Sequence, residues 1–342
     1  MRIELLRALA EVAGPSGRED RVRAIVRPEL EATCDDVAED AVGNLLGRRA
    51  GSGGPRVMLA AHMDEIGLMV THVDDRGYLR VIPLGGWDAR TLVGQRVLVR
   101  GRRDLPGVVG TRPVHLLTEA ERAKAPTIED LAVDVGLTAD EARSLVRAGD
   151  TITRVRDLVE MGSLLTGKSI DDRVGVFVML EAMAAAARGP AEVHAVASAQ
   201  EEVGLRGARV AAHRVRPEIG VAIDTCPSDD GPGAPSDTGG ARIGAGAAIR
   251  VADASAIASQ PLLELLRSLA DERGIPWQTH VSARGGTDTQ AIQLAADGCH
   301  AACISIPTRY VHSSVEACHP DDVEACIALT AALVEEAHRL EA

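Results

Sequence analysis

Residues 56–67 read RVMLAAHMDEIG. The run from Arg56 to Ala61 is short and apolar after its first residue, and it follows the turn signal GSGGP. That length and setting predict a buried strand ending at His62. Downstream the same texture recurs as helix 172–187, strand 193–199, helix 205–213, strand 220–224, helix 259–273, strand 301–306 and a terminal helix 320–340 with Pro320 in its first turn. Alternation of this kind implies an α/β fold with a mostly parallel, helix-covered sheet. Upstream, MRIELLRALAEVA (1–13) reads as an amphipathic helix, Gly14-Pro15-Ser16-Gly17 as a break, and 18–33 as a second helix capped by Ser16.

Between 71 and 158 the pattern changes to short β-like runs (YLRVIPL, RVLVRG, PGVVGT) separated by Gly, Pro and Asp. Such spacing predicts a small β-barrel or sandwich inserted into the larger domain, which then comprises 1–70 and 159–342. The polar stretch 118–148, with its helical pieces, is expected on the insert's surface.

Composition excludes several functions. A net charge of −13 without any basic stripe leaves no nucleic-acid surface. No run approaches the roughly 20 apolar residues that cross a bilayer, and the charges at Arg2, Glu4, Arg7 and Glu11 do not suit a signal peptide. Six cysteines without a CxxC pair read as reduced thiols, so a soluble, cytoplasmic chain is expected. With one Phe, two Trp and two Tyr, the core must be built from Ala, Val, Leu and Ile.

In open α/β sheets, ligand-binding groups gather beyond the carboxyl ends of the strands. There stand His62 and Asp64 in AAHMDEIG, Glu201 and Glu202 in SAQEEVG, Asp224 in VAIDT and His312 in PTRYVHSSVE, with Asp171 joining from the helix start in GKSIDDRVG. Imidazoles and carboxylates are the nitrogen and oxygen ligands zinc takes, and a carboxylate can bridge two cations through its two oxygens. Singly, each residue has a plainer use: a structural histidine, a helix cap at Asp171, solvated charge at Glu201-Glu202, an Asx-turn at Asp224. Asp64 fits either a turn or a carboxylate that accepts the second ring N–H of His62. Coincidence at five independent element ends, in a chain with 10 histidines, favours a dinuclear site. Neighbouring side chains at a strand end diverge, so Glu202 can reach a metal while Glu201 faces a water.

The segments HMDEIGLMV, GGWDARTLVGQRV, PGVVGTRPVHLL, KAPTIEDLAVDVG, GKSIDDRVG, QEEVGLRGA, AIDT, GGTDTQA and PTRYVHSSVE, in this order, resemble the tetrahedral-aminopeptidase family, which includes glutamyl and leucyl aminopeptidases. The likeness runs from about residue 10 to 335. It implies a zinc-exopeptidase-like fold that cleaves the first peptide bond of short peptides, with the insert making subunit contacts in a dimer or a hollow tetrahedral dodecamer. It further implies that His62 and Asp224 hold one zinc and Glu202 and His312 the other, that Asp171 bridges them, that Glu201 is the general base, and that Asp64 supports His62. Gly285-Gly286-Thr287-Asp288 and Arg309-Tyr310 match motifs near the family's substrate pocket, so Gly286, Thr287, Asp288, Arg309 and Tyr310 are expected at the substrate. Asp172, often Asn in the family, and Ala247, often Pro, depart from the pattern, and neither is expected to touch a ligand residue.

Two divalent ions per subunit are thus expected, zinc first, with cobalt or manganese as alternatives. Such ions lower the pKa of a bound water and polarise the scissile carbonyl. The rival readings are a dizinc deacylase or amidase acting on a modified small molecule, a scaffold that kept the fold without catalysis, and a sugar hydrolase using two carboxylates.

Overall fold

The computed structural model describes residues 1–233 and 240–340. It opens with helices α1 (Ile3–Glu11) and α2 (Asp20–Thr33), then strands β1 (Asp36–Glu39), β2 (Leu45–Arg49) and β3 (Arg56–His62). Strands β4 (Gly67–Val73), β5 (Leu79–Leu84), β6 (Arg96–Arg100), β7 (Asp104–Gly110), β8 (Ala132–Asp134) and β9 (Thr151–Arg154) follow, with short helices α3 (Glu119–Arg122) and α4 (Ala139–Leu145) on either side of β8. The remainder comprises β10 (Val159–Met161), β11 (Leu164–Gly167), α5 (Ile170–Ala185), β12 (Glu192–Ser198), α6 (Arg206–Val215), β13 (Ile219–Pro227), β14 (Ala247–Ala252) and α7 (Gln260–Arg273). It closes with β15 (Trp277–Val281), α8 (Asp288–Gln293), β16 (His300–Arg309), β17 (Glu316–Cys318) and α9 (Pro320–Glu336).

The strand deduced at 56–62 is central. It is buried from Val57 to His62, and β12, β3, β13 and β16 lie side by side and parallel. Val57, Leu59 and Ala61 face a core shared with α1, α2, α5, α7 and α9, while Met58 and Ala60 face one shared with α6 and α8. This alternation is what a strand covered by helices on both faces requires. The sheet is α/β as expected, but its parallel pairing belongs to the centre. The β1–β2 margin and the β17–β11–β10 margin are antiparallel, and β14 runs antiparallel to β16 while pairing parallel with β15.

Strands β4-β5-β8-β7-β6-β9 close an antiparallel barrel filled by Leu68, Val70, Leu79, Val97, Val99, Leu105, Val109, Val133 and Ile152. The stretch 118–148 is therefore more than a surface excursion, because its β8 segment pairs with β5 and β7 and completes the barrel. Ser16 departs from expectation too. Helix α2 has Glu19 at its cap position without a side-chain cap bond, and the Ser16 hydroxyl donates instead to Asp64 Oδ2 at 2.6 Å.

Helix α5 is buried along almost its whole length and contains Phe177, the only Phe. Its first turn is irregular at Asp171 and Asp172, which are joined by a cis peptide bond. Arg173, one residue on, donates to the carbonyls of Leu9, Val12, Gly14 and Met63, tying α1 and the Gly14–Gly17 turn to the loop after β3. Beside it Glu65 is fully buried, receiving Lys168 Nζ at 2.8 and 2.9 Å and Ser169 Oγ at 2.6 Å. Burial raises the proton affinity of Glu65, but the Lys168 and Arg173 charges outweigh it and hold the carboxyl at about 2. Its share of stability is thus complete above the ordinary 4.5 and is lost as pH falls towards 2. Lys168→Met, which leaves that charge without its nearest countercharge, is expected to lower unfolding stability at neutral pH by roughly 3–5 kcal/mol in urea denaturation.

Candidate metal centre

The parallel strands end on one edge of the sheet, and their ends carry the site. His62 terminates β3, Glu201 and Glu202 follow β12, Asp224 lies within the last part of β13, His312 follows β16, and Asp171 enters from the first turn of α5. Gln200 and His312 adopt left-handed backbone conformations (φ 58° and 63°). Such conformations are uncommon for side-chain-bearing residues and concentrate at functional sites.

Asp171 is the hub. Its Oδ1 stands 3.4 Å from His62 Nε2 and its Oδ2 3.3 Å from His312 Nε2, while His312 Nε2 is also 3.3 Å from Glu202 Oε1. Asp171 Oδ1 and Glu202 Oε1 are buried and make no hydrogen bond, although an imidazole nitrogen is this close to each. Two donors on one tetrahedral zinc, each roughly 2.0–2.2 Å from the ion, stand about 3.3–3.5 Å apart. The orphaned oxygens therefore fit a cation better than a hydrogen bond. The ligand atoms of His62, Asp171 and Glu202 lie within 4.8 Å of one another, as do those of His62, Asp172 and Asp224. Glu201 Oε2 is farther out, 4.0 Å from His62 Nε2.

The electrostatics show the same demand for positive charge. Burial disfavours the His62 imidazolium, but the adjacent carboxylates of Asp171 and Asp64 win and raise its pKa well above 6.5. For His312 the same contest, with Asp171 and Glu202 as partners, ends at about 11. Burial pushes Glu201 well above the carboxylate range, raises Glu202, and takes Asp224 to about 8. Asp171, despite its burial, is held below that range by His312 and His62.

A second ring of groups fixes these side chains. The His62 Nδ1 atom is 3.0 Å from the Asp64 carbonyl and 3.5 Å from its carboxylate, so the main chain of Asp64 is the nearer acceptor. The Asp64 carboxylate instead accepts the backbone N–H groups of Glu201 (2.9 Å) and Glu202 (3.2 Å) together with the Ser16 hydroxyl. Asp172, not expected to touch a ligand residue, accepts the His62 N–H at 3.1 Å. Two residues not expected at all take part. Glu316 receives the N–H of Asp171 on one oxygen and that of His312 on the other, both at 3.0 Å, and Glu19 receives the N–H of Gln200 at 3.1 Å. Glu316 sits in the quoted PTRYVHSSVE, four residues past His312, and Glu19 follows the Gly14–Gly17 turn; that proximity is the one signal that could have found them.

The centre opens into a cleft of about 600 Å³. Of the residues expected at the substrate, Gly286 lines it. Thr287 is buried as the cap of α8, and Asp288 is buried with Oδ2 accepting from Ser198. Arg309 pairs with Asp230 at 2.7 Å, and Tyr310, 44% exposed, precedes Val311, which lines the cleft. Away from the metal side, the cleft's ionisable groups are Arg250, His280 and Arg284, with Ser255, Ser282 and Gln290. Arg250 Nε and His280 Nδ1 are buried without hydrogen-bond partners.

Residues 43–329 match the family model described as M42 glutamyl aminopeptidase. A lysyl aminopeptidase of Pyrococcus furiosus is 36% identical, the match covering 97% of this chain and 96% of the relative. Among solved structures, an aminopeptidase from the archaeon Desulfurococcus kamchatkensis superposes with a TM-score of 0.93 at 40% identity, covering 98% of this chain and 94% of that one. The Pyrococcus horikoshii TET1 peptidase, which can assemble into a tetrahedron or a large octahedral shell, gives 0.89 at 34% identity, covering 98% and 99%.

Because Glu316 anchors two candidate ligands through their backbones, Glu316→Gln, which points an amide N–H at one of those donors, is expected to lower metal affinity about 10–100-fold. Calorimetric metal titration checks this, and unchanged affinity would strip Glu316 of that role.

Proposed function

The chain belongs to the M42 glutamyl aminopeptidase family, and from that premise we propose that it removes the first residue of short peptides at a dinuclear centre. His62 and Asp224 would hold one divalent ion, Glu202 and His312 the other, with Asp171 bridging; zinc suits this donor set, and cobalt or manganese would compete by supply. The observation that carries the proposal is Asp171, whose two oxygens each stand 3.3–3.4 Å from a different imidazole. Bound there, the ions would supply an acidified water and a polarised carbonyl.

The chain's own residues do the remaining work. Glu201, adjacent to Glu202 but 4.0 Å from the nearest imidazole nitrogen, is free to take a proton from the attacking water and pass it to the departing amine. Asp64, by accepting both N–H groups at 201 and 202, keeps Glu202 on the metal side and Glu201 on the water side. Across the cleft, the ionisable groups outside the ligand set are Arg250, Arg284 and His280, the last held neutral by burial, which lowers its pKa to about 4, so an acidic or hydrogen-bonding first side chain is favoured over a lysine. No helix among the described residues is long and apolar enough to cross a membrane. We place the protein in the cytoplasm as a homo-oligomer, with contacts through the barrel, where Ile82, Val108 and Val155 are exposed.

Chelation should abolish hydrolysis of aminoacyl-anilides, and zinc, cobalt or manganese should restore it. Glu201→Gln should keep both metals yet lose activity about 10²–10⁴-fold, whereas Asp171→Ala should lose metal as well; a fully active Glu201→Gln enzyme ends the assignment. In the anilide series, kcat/KM for a glutamyl substrate should exceed that for a lysyl one, and Arg284→Ala should narrow the gap. Equal cleavage of amides lacking a free amino group would favour the amidase reading.

A further inference from the structure

We propose that Arg154, on the last barrel strand, is a positioning residue of the metal centre: stacked on Trp87, it holds the Gly85-Gly86 segment against Glu202 and His312. The inference rests on the assignment of one ion to those two residues. Arg154 is 2% exposed, and its Nε, Nη1 and Nη2 make no hydrogen bond among the described residues. A guanidinium carries five N–H donors, and burying them without acceptors is unfavourable. The cation must therefore be stabilised otherwise. Its Cζ lies 4.6 Å from the centroid of the Trp87 ring, a cation–π contact strengthened by the burial of the guanidinium. Burial works against its charge, while the carboxylates of Glu316, Glu65, Glu202 and Asp171 favour it.

Trp87 is fixed on its other side by its Nε1, which donates to the Gly67 carbonyl at 2.7 Å, at the start of β4. The indole is thus held between the first and last barrel strands. The two residues before it touch the metal centre. A Cβ on Gly85 would fall 2.5 Å from Ile66 Cγ2 and 3.2 Å from Glu202 Oε2, and one on Gly86 would fall 3.2 Å from His312 Nδ1 with only His312 atoms within 4 Å. The bare backbone of this segment is a wall against Glu202 and His312, the two ligands assigned to the same ion. Loosening the wall should disturb that ion and spare the one assigned to His62 and Asp224.

The test is a calorimetric titration of metal-depleted wild type, Arg154→Met, Arg154→Lys and Trp87→Leu with zinc, alongside thermal unfolding of each. Wild type should bind two ions. Arg154→Met, which keeps most of the length and removes the charge, should weaken one ion by at least about tenfold and leave the other near its wild-type affinity. Arg154→Lys, which restores a cation over the ring, should recover the lost affinity. Should Arg154→Met not fold, Trp87→Leu carries the same expectation. Tighter binding of both ions would mean that Arg154 acts only as a distant positive charge, and parallel weakening of both with lower stability and no rescue by lysine would mean plain packing. Either result, or unchanged affinities, overturns the proposal. Fewer than two ions in wild type would remove the dinuclear reading itself, which separates that failure from failure of the clamp.

Discussion

Buried negative charge is the constraint from which this structure follows. Buried Asp64, Asp171, Asp172, Asp224, Asp288 and Glu316 and half-buried Glu201 and Glu202 are gathered at one edge of the sheet with two imidazoles among them. Taking ionised carboxylates out of water costs several kcal/mol each unless something replaces the solvent. The chain divides the task. Asp64, Asp172 and Glu316 are satisfied by backbone N–H groups and act as scaffolding. Asp171, Glu202 and Asp288 each keep a buried oxygen without a partner, and of these Asp171 and Glu202 line the cleft. That split separates groups satisfied by the backbone from groups proposed as ligands.

The same division decides what could be read from the amino-acid order. Most of the proposed ligands stand at an abrupt boundary between an apolar run and a turn, as at His62 after RVMLAA or Asp171 at the head of a helix with no polar face, and that boundary is what marks them in the sequence; Asp224, inside β13, is the exception. Groups that hold the site were mostly hidden. Glu316 serves the backbone of Asp171, 145 residues away, and no local pattern announces such a bond. Ser16 is spelled like a helix cap, yet its tertiary partner, Asp64, prevails over the local use. Arg309 was expected at the substrate from the family resemblance, whereas its guanidinium is taken by Asp230.

For the fold, the central strands were readable from continuous apolar stretches, and the margins were not. β10 is exposed at every residue and β17 has three, too short for any periodicity to register. β8 was concealed in a polar segment because one buried residue, Val133, is all the barrel needs from it. The fold class thus follows from long strands buried on both faces, and the details that escaped belong to strands that are exposed, like β10, or only three residues long, like β8 and β17.

Strands β4 and β9 are hydrogen-bonded neighbours, pairing Leu68 with Ile152. The chain therefore leaves the sheet for the barrel and comes back through a single doorway. A module attached in this way can be lengthened, trimmed or redecorated at its far loops without moving the threshold, where Trp87 is tied to Gly67 and Arg154 stacks on its ring.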